Sequence, residues 1–405
     1  MIGVKITGVG MAVPGYEGVP GRIMSNDMIA AELHSRGLSK ANEKGLLEER
    51  SDPAVDEKRQ ADFTAHMKNY TTSDAWIRER SFIETRSFAD PSIATSDLAA
   101  IAAERALECA GLRVDSVERI DLATVSHDFI ASPPTVAIVA EKLGIHCSGR
   151  KEIGMLFGAD TTLACSSFFA ALANAYAAIA TGMCKNAVVI GADIMSRLIN
   201  PDDRGFYVLL GDGAGALVLE ACEERESSFA PLDFYGGLDG RFANRILTPV
   251  GGTRIVKPEE DADGVQWYDR DAKIPYVDKL WMNGGAVFKE IIRLIYSAEK
   301  PNASVIGRGL SRAGKTLSEI DFFAFHQANL RMINVVVPEL ERDGFEGVVL
   351  NNIARYGNTT SATIPLILAE AHRDEKLLYG DTFMAVVFGG GYSWGSAIGK
   401  WTVKE

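Results

Sequence analysis

Short apolar runs bounded by polar turns alternate along this chain with longer stretches whose apolar residues recur at helical spacing. In the first half, four runs are long enough for a strand and too short for a helix, which predicts buried β-strands. Residues 97–110 are rich in alanine and lie between Ser96 and Gly111, which predicts a helix with Ser96 as its N-cap and Gly111 as its end. The predicted strands are residues 2–9, 119–125, 187–191 and 214–220.

The second half follows the same plan after a polar stretch at residues 223–229, although no residue-level repeat is evident. Because strands and helices alternate in both halves, the sequence predicts a layered α/β fold. A chain of 405 residues is long for a single core, so we expect two fused halves, residues 1–225 and 226–405. The predicted elements of the second half are a helix at 286–297, a strand at 322–325, a helix at 361–372 and a strand at 383–388.

Two stretches look like insertions into this plan. Residues 32–70 are rich in Lys, Glu and Asp, which indicates a solvated helical excursion; the alternative is a cover over a substrate entrance. Residues 239–280 include an acidic cluster at 259–263. Its spacing matches no ordered ligand set, so we expect no metal site there.

Composition and charge narrow the function classes. Hydrophobic residues make up 47% of the chain and charged residues 24%, as in soluble globular proteins. The net charge of −12 argues against a nucleic-acid partner. No apolar run approaches the roughly 20 residues that span a bilayer. Five cysteines without metal-ligand spacing, and no recognisable signal peptide, predict a cytoplasmic protein. They are Cys109, Cys147, Cys165, Cys184 and Cys222.

One of these cysteines lies where a polar turn becomes a long apolar helix. Residues 166–180 carry apolar side chains at helical spacing and are followed by Gly182, which places Cys165 at the N-terminus of a predicted helix. Free backbone N–H groups and the helix dipole favour a thiolate at that position. A single cysteine is more often a small buried side chain, and two further motifs are what favour a nucleophile here.

These motifs contribute a histidine and an asparagine. His326 follows the predicted strand at 322–325, and a histidine at the end of a strand faces a crevice. Asn358 lies in a Gly-Asn turn before the helix at 361–372, whose first turn accommodates Pro365. Each residue alone is more often structural. Together with Cys165 they predict an activated thiol with two hydrogen-bond donors beside it.

Four further motifs accompany these residues in order along the chain. They are Thr72-Ser-Asp-Ala-Trp-Ile77, Asp202-Asp-Arg-Gly205, Phe206-Tyr-Val-Leu-Leu-Gly-Asp-Gly-Ala-Gly-Ala216 and Phe388-Gly-Gly-Gly-Tyr-Ser-Trp-Gly-Ser396. With the segments around Cys165, His326 and Asn358, they resemble the β-ketoacyl-acyl carrier protein synthase III family, condensing enzymes of the thiolase superfamily. The resemblance covers nearly the whole chain and implies a thiolase-like fold, in which two similar α/β halves form five α-β-α-β-α layers.

The resemblance implies a decarboxylative Claisen condensation. Cys165 would hold an acyl group as a thioester, and His326 and Asn358 would donate hydrogen bonds to the enolate formed when a malonyl thioester loses CO2. The backbone N–H groups of Cys165 and Gly390 would bind the thioester oxyanion. The product would be a β-ketoacyl thioester for fatty-acid or secondary-metabolite synthesis. No tightly bound cofactor is implied, since acyl-CoA and the malonyl thioester are substrates.

The resemblance also implies a tunnel for the phosphopantetheine arm of the substrates. Trp76 and Arg204 would enclose the CoA adenine, and Arg80 and Arg331 would meet phosphates. Asn329 would form a hydrogen bond with the arm, and Phe288 would line its path.

Departures from the family pattern bear on the substrate. In the segment that enters the partner subunit's acyl pocket, the family often has an aromatic residue where this chain has Ser132. The resemblance implies a homodimer, because such a segment closes the pocket of the other subunit. Since serine is smaller than an aromatic residue, we expect a roomy pocket, lined also by Phe168, that accepts acyl chains longer than acetyl. The stretch after Arg331 is less basic than in the housekeeping enzymes. The sequence leaves two candidates for the carrier of the malonyl unit, CoA and an acyl carrier protein.

Three other functions could use the same residues. A thioesterase or amidase could hydrolyse an acyl-Cys165 intermediate. An acyltransferase of the same fold could pass the acyl group to an oxygen or nitrogen nucleophile. A non-catalytic scaffold subunit is the third, and it would not need Cys165, His326 and Asn358 together.

Overall fold

Two five-stranded sheets, one in each half of the chain, form the frame of the computed structural model. The structure describes residues 2–48, 53–146, 156–248, 252–253, 279–282, 284–297 and 299–404. The strands are β1 (Gly3–Ala12), β2 (Gly21–Ser25), β3 (Thr85–Ala89), β4 (Arg119–Ala123), β5 (Phe157–Thr161), β6 (Asn186–Asp193), β7 (Gly213–Cys222), β8 (Phe234–Leu238), β9 (Ile246–Leu247), β10 (Trp281–Met282), β11 (Phe322–Phe325), β12 (Val348–Leu350), β13 (Thr382–Gly389) and β14 (Ser393–Lys400).

The helices fall mostly between these strands. They are α1 (Asn26–Glu43), α2 (Pro53–Met67), α3 (Asp74–Ser81), α4 (Thr95–Ala110), α5 (Thr135–Lys142), α6 (Ser167–Ala180), α7 (Arg204–Tyr207), α8 (Gly284–Ile295), α9 (Val305–Ala313), α10 (Leu330–Arg342), α11 (Ile353–Tyr356) and α12 (Thr363–Arg373).

The two main sheets have the same pattern of strand directions. The first has the order β1-β7-β6-β4-β5, and the second, counted from its antiparallel edge, β8-β14-β13-β11-β12. In each, the first strand of the half forms an edge and pairs antiparallel, the next pair is also antiparallel, and the remaining pairs are parallel. This repeat confirms two similar α/β halves. The boundary at 225/226 stays a prediction, in keeping with the end of β7 at Cys222 and the start of β8 at Phe234.

Helices α6 and α12 lie between the two sheets and share one hydrophobic core with both. Helices α4 and α5 cover the outer face of the first sheet, and α8, α9 and α10 cover that of the second. The arrangement confirms the five α-β-α-β-α layers implied by the family resemblance. This arrangement places Cys165, just before α6, and Asn358, in the loop before α12, at the layer shared by the two halves.

Close backbone contacts hold α12 against the first sheet. A Cβ on Gly215 in β7 would come 2.5 Å from the backbone nitrogen of Leu366, and one on Gly191 in β6 would come 2.4 Å from the carbonyl oxygen of Ser361. Only a residue without a side chain permits this approach. As a result, the loop before α12, which carries Asn358, lies directly over the end of β6.

One capping prediction is wrong. Helix α4 begins at Thr95 with Ala94 as its N-cap, and the Asp97 carboxylate accepts a 2.8 Å hydrogen bond from the Ala94 N–H. Ser96 is therefore a first-turn residue, whose N–H donates to Asp128. The predicted end is confirmed, since Gly111 adopts a left-handed conformation with φ of 63°.

The described parts of residues 32–70 form a helical hairpin made of α1 and α2. Helix α1 buries Ile29 and Leu33 against a cluster that includes Ile77 and Phe206, whereas α2 buries only Met67. The hairpin is thus a largely solvated excursion attached through α1. Most of residues 239–280, with the acidic cluster at 259–263, and Cys147 lie outside the described residues.

Candidate active site

Cys165 lies in a sharp turn between β5 and α6. Ala164 adopts a left-handed conformation with φ of 48°, and the Ser167 hydroxyl accepts a 2.8 Å hydrogen bond from the Leu163 N–H. The Ser166 and Ser167 N–H groups donate to the carbonyls of Leu163 and Ala164. Helix α6 starts at Ser167, so Cys165 sits just before the helix N-terminus, where the sequence placed it.

Burial of Cys165 opposes the thiolate that its position before the helix favours. Burial raises the pKa of Cys165 to about 12, and the nearby Asp193 carboxylate acts in the same direction. The backbone N–H groups of Cys165 and Gly390 oppose this rise but are the weaker influence. Desolvation of a charge outweighs the helix terminus here, so the resting nucleophile is a neutral thiol.

His326 directly follows β11, and its side chain is 1% exposed. Its N–H donates to the Val386 carbonyl at 2.7 Å, and its ring packs edge-on against Phe388 with a centroid distance of 5.1 Å. Burial lowers the pKa of His326 to about 3. Neither ring nitrogen has a hydrogen-bond partner among the described residues. A neutral imidazole is thus held in place by its backbone and neighbours, with its ring nitrogens left for a substrate.

Asn358 is held by the backbone on both sides. Its N–H donates to the Leu209 carbonyl at 2.8 Å, and its carbonyl accepts from the Gly211 N–H at 3.0 Å. Its side-chain oxygen accepts a 2.9 Å hydrogen bond from the Thr360 N–H. Because that oxygen is occupied, the amide group is oriented with its N–H2 as the free donor.

The glycine loop between β13 and β14 packs against the turn of Cys165. A Cβ on Gly389 would come 2.8 Å from the Cys165 backbone nitrogen. The Ser393 hydroxyl donates to the Ser166 hydroxyl at 3.0 Å, which fastens the start of β14 to the same turn. The Gly390 and Cys165 N–H groups both act to lower the pKa of the thiol, and their role as the oxyanion donors stays a prediction.

Cys165, His326 and Asn358 all line one cavity of about 120 Å³ between the two halves. Its other walls are mostly apolar side chains. They are Val125, Met195, Phe206, Leu210, Ile246, Leu280, Met282, Val287, Ile291, Ala328 and Phe388, with Ala164, Thr360, Gly389 and Gly390. The site therefore combines a thiol, an imidazole and an amide donor in mostly apolar surroundings.

Asp193 was missed by sequence reasoning. This fully buried carboxylate at the end of β6 accepts hydrogen bonds from Thr124, Val125 and Ser126 in one half and from the Ser361 N–H in the other. Burial raises the pKa of Asp193. The available signal was an acidic residue closing the apolar run of residues 187–192. The Asp193 carboxylate thus joins residues 124–126 to the loop that carries Asn358, and both segments contribute to the cavity wall.

The candidate adenine-binding residues lie together at α3 and α7. The guanidinium carbons of Arg80 and Arg204 lie 4.4 and 4.7 Å from the Trp76 ring centroid. Arg204 also donates hydrogen bonds to the carbonyls of Lys68 and Thr71, at 2.9 and 2.7 Å. The segment after α2 thus holds Arg204 on the indole.

The remaining tunnel candidates surround the same region. Asn329 caps α10 by accepting from the Arg331 N–H, and its amide donates to the Arg80 carbonyl at 2.9 Å. This bond joins α10 to α3. Arg331 is exposed, and Phe288 is half-buried on α8 one residue after Val287.

The two acyl-pocket candidates do not line the cavity. Phe168 is 1% exposed and packs into the central core, where a Cβ on Gly191 would contact its ring. Its place on α6 turns it toward β6 and away from the cavity. Ser132 is exposed in the loop between β4 and α5, so within one chain it belongs to the surface.

Within the described ranges, the His, Cys, Asp and Glu side chains form no group of three or more suited to a metal ion. Of the helices in those ranges, none has both the length and the apolar character needed to cross a bilayer.

Two family models match the parts of the chain that hold these residues. Residues 159–236, with Cys165, match the model described as 3-Oxoacyl-[acyl-carrier-protein (ACP)] synthase III. Residues 310–401, with His326, Asn358 and the glycine loop, match the model of its C-terminal region.

Similar proteins cover most of the chain. The β-ketoacyl-[acyl-carrier-protein] synthase III of Desulfitobacterium hafniense (strain Y51) is 36% identical over 333 residues, 82% of this chain and 91% of the relative. That of Clostridioides difficile (strain 630) is 37% identical over 332 residues, with 82% and 91% covered.

Solved structures agree with the fold. The crystal structure of 3-oxoacyl-(acyl carrier protein) synthase III from Pseudomonas aeruginosa PAO1 matches with a TM-score of 0.73 and 29% identity, covering 100% of this chain and 99% of that one. The priming β-ketosynthase of the R1128 polyketide pathway has a TM-score of 0.72 at 23% identity, covering 99% and 97%, and shows a shared fold.

The contact between Gly389 and the Cys165 turn leads to a first prediction. Gly389→Ala should lower the rate at which an acyl-CoA acylates Cys165 by about 100-fold or more, because the added Cβ must push the oxyanion donor away from the sulfur. Intact-mass spectrometry of the adduct measures this rate. Gly240→Ala is the matched control, since its Cβ would meet nothing within 4 Å, and it should acylate normally. A Gly389→Ala variant as fast as this control would refute the close packing.

The raised pKa of Cys165 leads to a second prediction. Below a pKa of about 12, the thiolate fraction grows tenfold with each pH unit. Alkylation of Cys165 by iodoacetamide should therefore accelerate about tenfold per unit from pH 7 to pH 10. Peptide mass spectrometry reports the site, and Cys165→Ala corrects for other cysteines. A rate that levels off below pH 8 would show that the resting residue is a thiolate.

Proposed function

Because this chain belongs to the β-ketoacyl-[acyl-carrier-protein] synthase III family of condensing enzymes, we propose that it is an acyltransferase in which Cys165 accepts an acyl group from acyl-CoA. The acyl group is then joined to a malonyl-type thioester with loss of CO2. The product is a β-ketoacyl thioester. The carrier of the malonyl unit is either CoA or an acyl carrier protein, and the site needs no resident cofactor for either half-reaction.

In the first half-reaction, the Cys165 sulfur attacks the carbonyl carbon of acyl-CoA. The carbonyl oxygen becomes an oxyanion that accepts hydrogen bonds from the Cys165 and Gly390 N–H groups. When the intermediate collapses, the carbon–sulfur bond to CoA breaks, and the proton of the Cys165 thiol ends on the CoA sulfur. The step starts and ends with neutral sulfur, which suits a thiol whose pKa is raised by burial.

In the second half-reaction, the malonyl thioester loses CO2, and the electron pair of the broken carbon–carbon bond forms an enolate. His326 and Asn358 donate hydrogen bonds to the enolate oxygen. The enolate carbon attacks the Cys165 thioester, whose oxygen again occupies the two backbone donors. Collapse of this intermediate expels the Cys165 sulfur, which takes up one proton from solvent and returns to the thiol.

The observation that carries this proposal is that Cys165, His326 and Asn358 line one cavity whose other walls are mostly apolar. A malonyl carboxylate loses its charge as CO2, so apolar walls favour its decarboxylation over its hydrated ground state. A hydrolase, or a transferase to an alcohol or amine, needs a base that takes a proton from its nucleophile. His326, with a pKa lowered to about 3, is a poor base. The site therefore favours a carbon nucleophile over either alternative.

The proposal extends to the route of the substrate. Trp76, Arg80 and Arg204 are proposed to bind the nucleotide end of CoA, and Arg331 its phosphates. Asn329 and Phe288 are proposed to line the path of the pantetheine arm.

A homodimer is proposed from the exposed edge of the first sheet. Strand β5 pairs only with β4 among the described strands, and Phe157 at its start is 48% exposed. In the loop before α5, Phe129 and Ile130 are 55% and 85% exposed. An unpaired strand beside exposed apolar side chains suits a two-fold interface. Ser132 lies in the same loop and is proposed to enter the partner subunit's acyl pocket. The free thiols in the described residues accord with a cytoplasmic location.

The division of labour between the donors gives a third prediction. Asn358→Ala should still form an acyl adduct on Cys165, but its decarboxylation of a malonyl thioester should fall about 100-fold, because one enolate donor is lost. Cys165→Ala should form no adduct. Intact mass measures the adduct, and CO2 release measures decarboxylation. The assignment fails if Cys165→Ala is acylated or if Asn358→Ala loses both half-reactions equally.

The proposed role of Ser132 in the partner subunit gives a fourth prediction, tested in mixed dimers. Wild-type homodimers should load octanoyl-CoA onto Cys165 in competition with acetyl-CoA, and Ser132→Phe homodimers should prefer acetyl-CoA. In a dimer of a wild-type subunit with a Ser132→Phe, Cys165→Ala subunit, the one active cysteine faces the partner's phenylalanine and should also prefer acetyl-CoA.

The matched control places the two changes on different subunits. When Ser132→Phe is paired with Cys165→Ala, the active cysteine faces a partner serine, so octanoyl loading should persist. Identical preferences in both mixed dimers would show that Ser132 acts within its own subunit or not at all. A protein that sediments as a monomer would refute the homodimer itself.

A further inference from the structure

We propose that Tyr392 is a positioning residue that holds the Gly390 N–H on the sulfur of Cys165. It does so by fastening the glycine loop to α8, which forms one wall of the cavity. The proposal rests on the function proposed above, but one of its tests needs no acyl substrate. Tyr392 directly follows the three glycines of the loop and is not among the described residues that line the cavity.

The backbone of Tyr392 is in an unfavourable conformation. Gly391 and Tyr392 have φ values of 80° and 36°, and this left-handed region disfavours a residue that carries a Cβ. Two successive left-handed residues turn the chain from β13 into β14, in which Gly389 pairs with Ser393. Contacts must hold Tyr392 in this conformation, since its own preference opposes it.

Those contacts come from both flanks of the C-terminal half. The Tyr392 carbonyl accepts a 2.8 Å hydrogen bond from the Asp239 N–H, and its hydroxyl donates to the Val287 carbonyl at 3.3 Å. The side chain is 4% exposed, and its ring packs on Phe242 with a centroid distance of 4.9 Å. Burial, with the neighbouring Glu290 carboxylate, raises the pKa of Tyr392 and keeps its hydroxyl a donor.

The hydroxyl therefore joins the glycine loop to α8. Val287 and Ile291 of α8 line the cavity on one side, and Gly390 lines it on another. On its other side, Gly390 packs against Ile246, whose Cβ lies 3.2 Å from where a Gly390 Cβ would be. Without the hydroxyl, the loop keeps this packing but loses its fixed distance to the helix, so the Gly390 donor is free to shift from the sulfur.

The test is Tyr392→Phe, which keeps the ring and removes the hydroxyl. Acylation of Cys165 by acyl-CoA should slow about tenfold in kcat with KM within twofold, because a displaced oxyanion donor costs part of the 100-fold or more of a deleted one. Decarboxylation of a malonyl thioester, which depends on His326 and Asn358, should stay within twofold of wild type.

Tyr235→Phe is the matched control, because the Tyr235 hydroxyl also takes part in a 3.3 Å hydrogen bond, from Arg308. It should leave both half-reactions and the melting temperature unchanged. A general loss of packing in Tyr392→Phe would lower the melting temperature and slow both half-reactions together, and that result would overturn the positioning role.

Alkylation of Cys165 separates this proposal from the proposed function. The Gly390 N–H stabilises the thiolate, so Tyr392→Phe should slow iodoacetamide alkylation at pH 9 several-fold relative to both wild type and Tyr235→Phe, even if no acyl-CoA is ever accepted. Equal alkylation rates in the three proteins would overturn the role of Tyr392. A wild-type protein that alkylates but neither acylates nor decarboxylates would instead overturn the proposed function.

Discussion

The two halves of the active site are held together by the buried carboxylate of Asp193. It accepts five hydrogen bonds, four from residues 124–126 of the first half and one from Ser361 in the loop that carries Asn358. A buried charge is tolerated only when such donors replace water. Removing it would leave these donors unsatisfied in both loops at once. Asp193 therefore joins residues 124–126 to the loop that carries Asn358, without a hydrogen bond to the Asn358 side chain.

The same burial sets the chemistry. Desolvation, with the nearby Asp193 charge, raises the pKa of the Cys165 thiol to about 12, and desolvation alone lowers that of His326 to about 3. These shifts favour the neutral form of both residues, and the described residues that line the cavity include no carboxylate, lysine or arginine side chain. Backbone N–H groups, a neutral imidazole and an amide stabilise a transient charge without presenting a base to water. This combination suits decarboxylation followed by attack of a carbon nucleophile.

Local patterns in the sequence predicted the frame but not the contacts made across it. Strand β11 and helix α6 were placed within a residue because apolar periodicity is a local property. The sequence could not show the desolvation that opposes a thiolate at Cys165, because it depends on which residues of the second half pack over the turn. Phe168 points into the core and not into the cavity. The sequence could not show this, because spacing alone does not reveal which face of α6 packs on β6. The N-cap of α4 was missed because Asp97, and not Ser96, satisfies the free backbone group. Asp193 was visible in the sequence as an acidic residue at the end of an apolar strand. Its role could not be predicted, because its hydrogen-bond donors come from other parts of the chain.

The most direct test of this account is the stoichiometry of a single turnover. Cys165 is loaded with an octanoyl group, freed of excess acyl-CoA and mixed with a malonyl thioester whose free carboxyl carbon is labelled with ¹³C. Labelled CO2 and the β-ketoacyl product are then measured by mass spectrometry against the amount of acyl-Cys165. The account predicts one CO2 and one β-ketoacyl thioester for each acyl group consumed. Release of octanoic acid without CO2, or CO2 without a β-ketoacyl product, would contradict it.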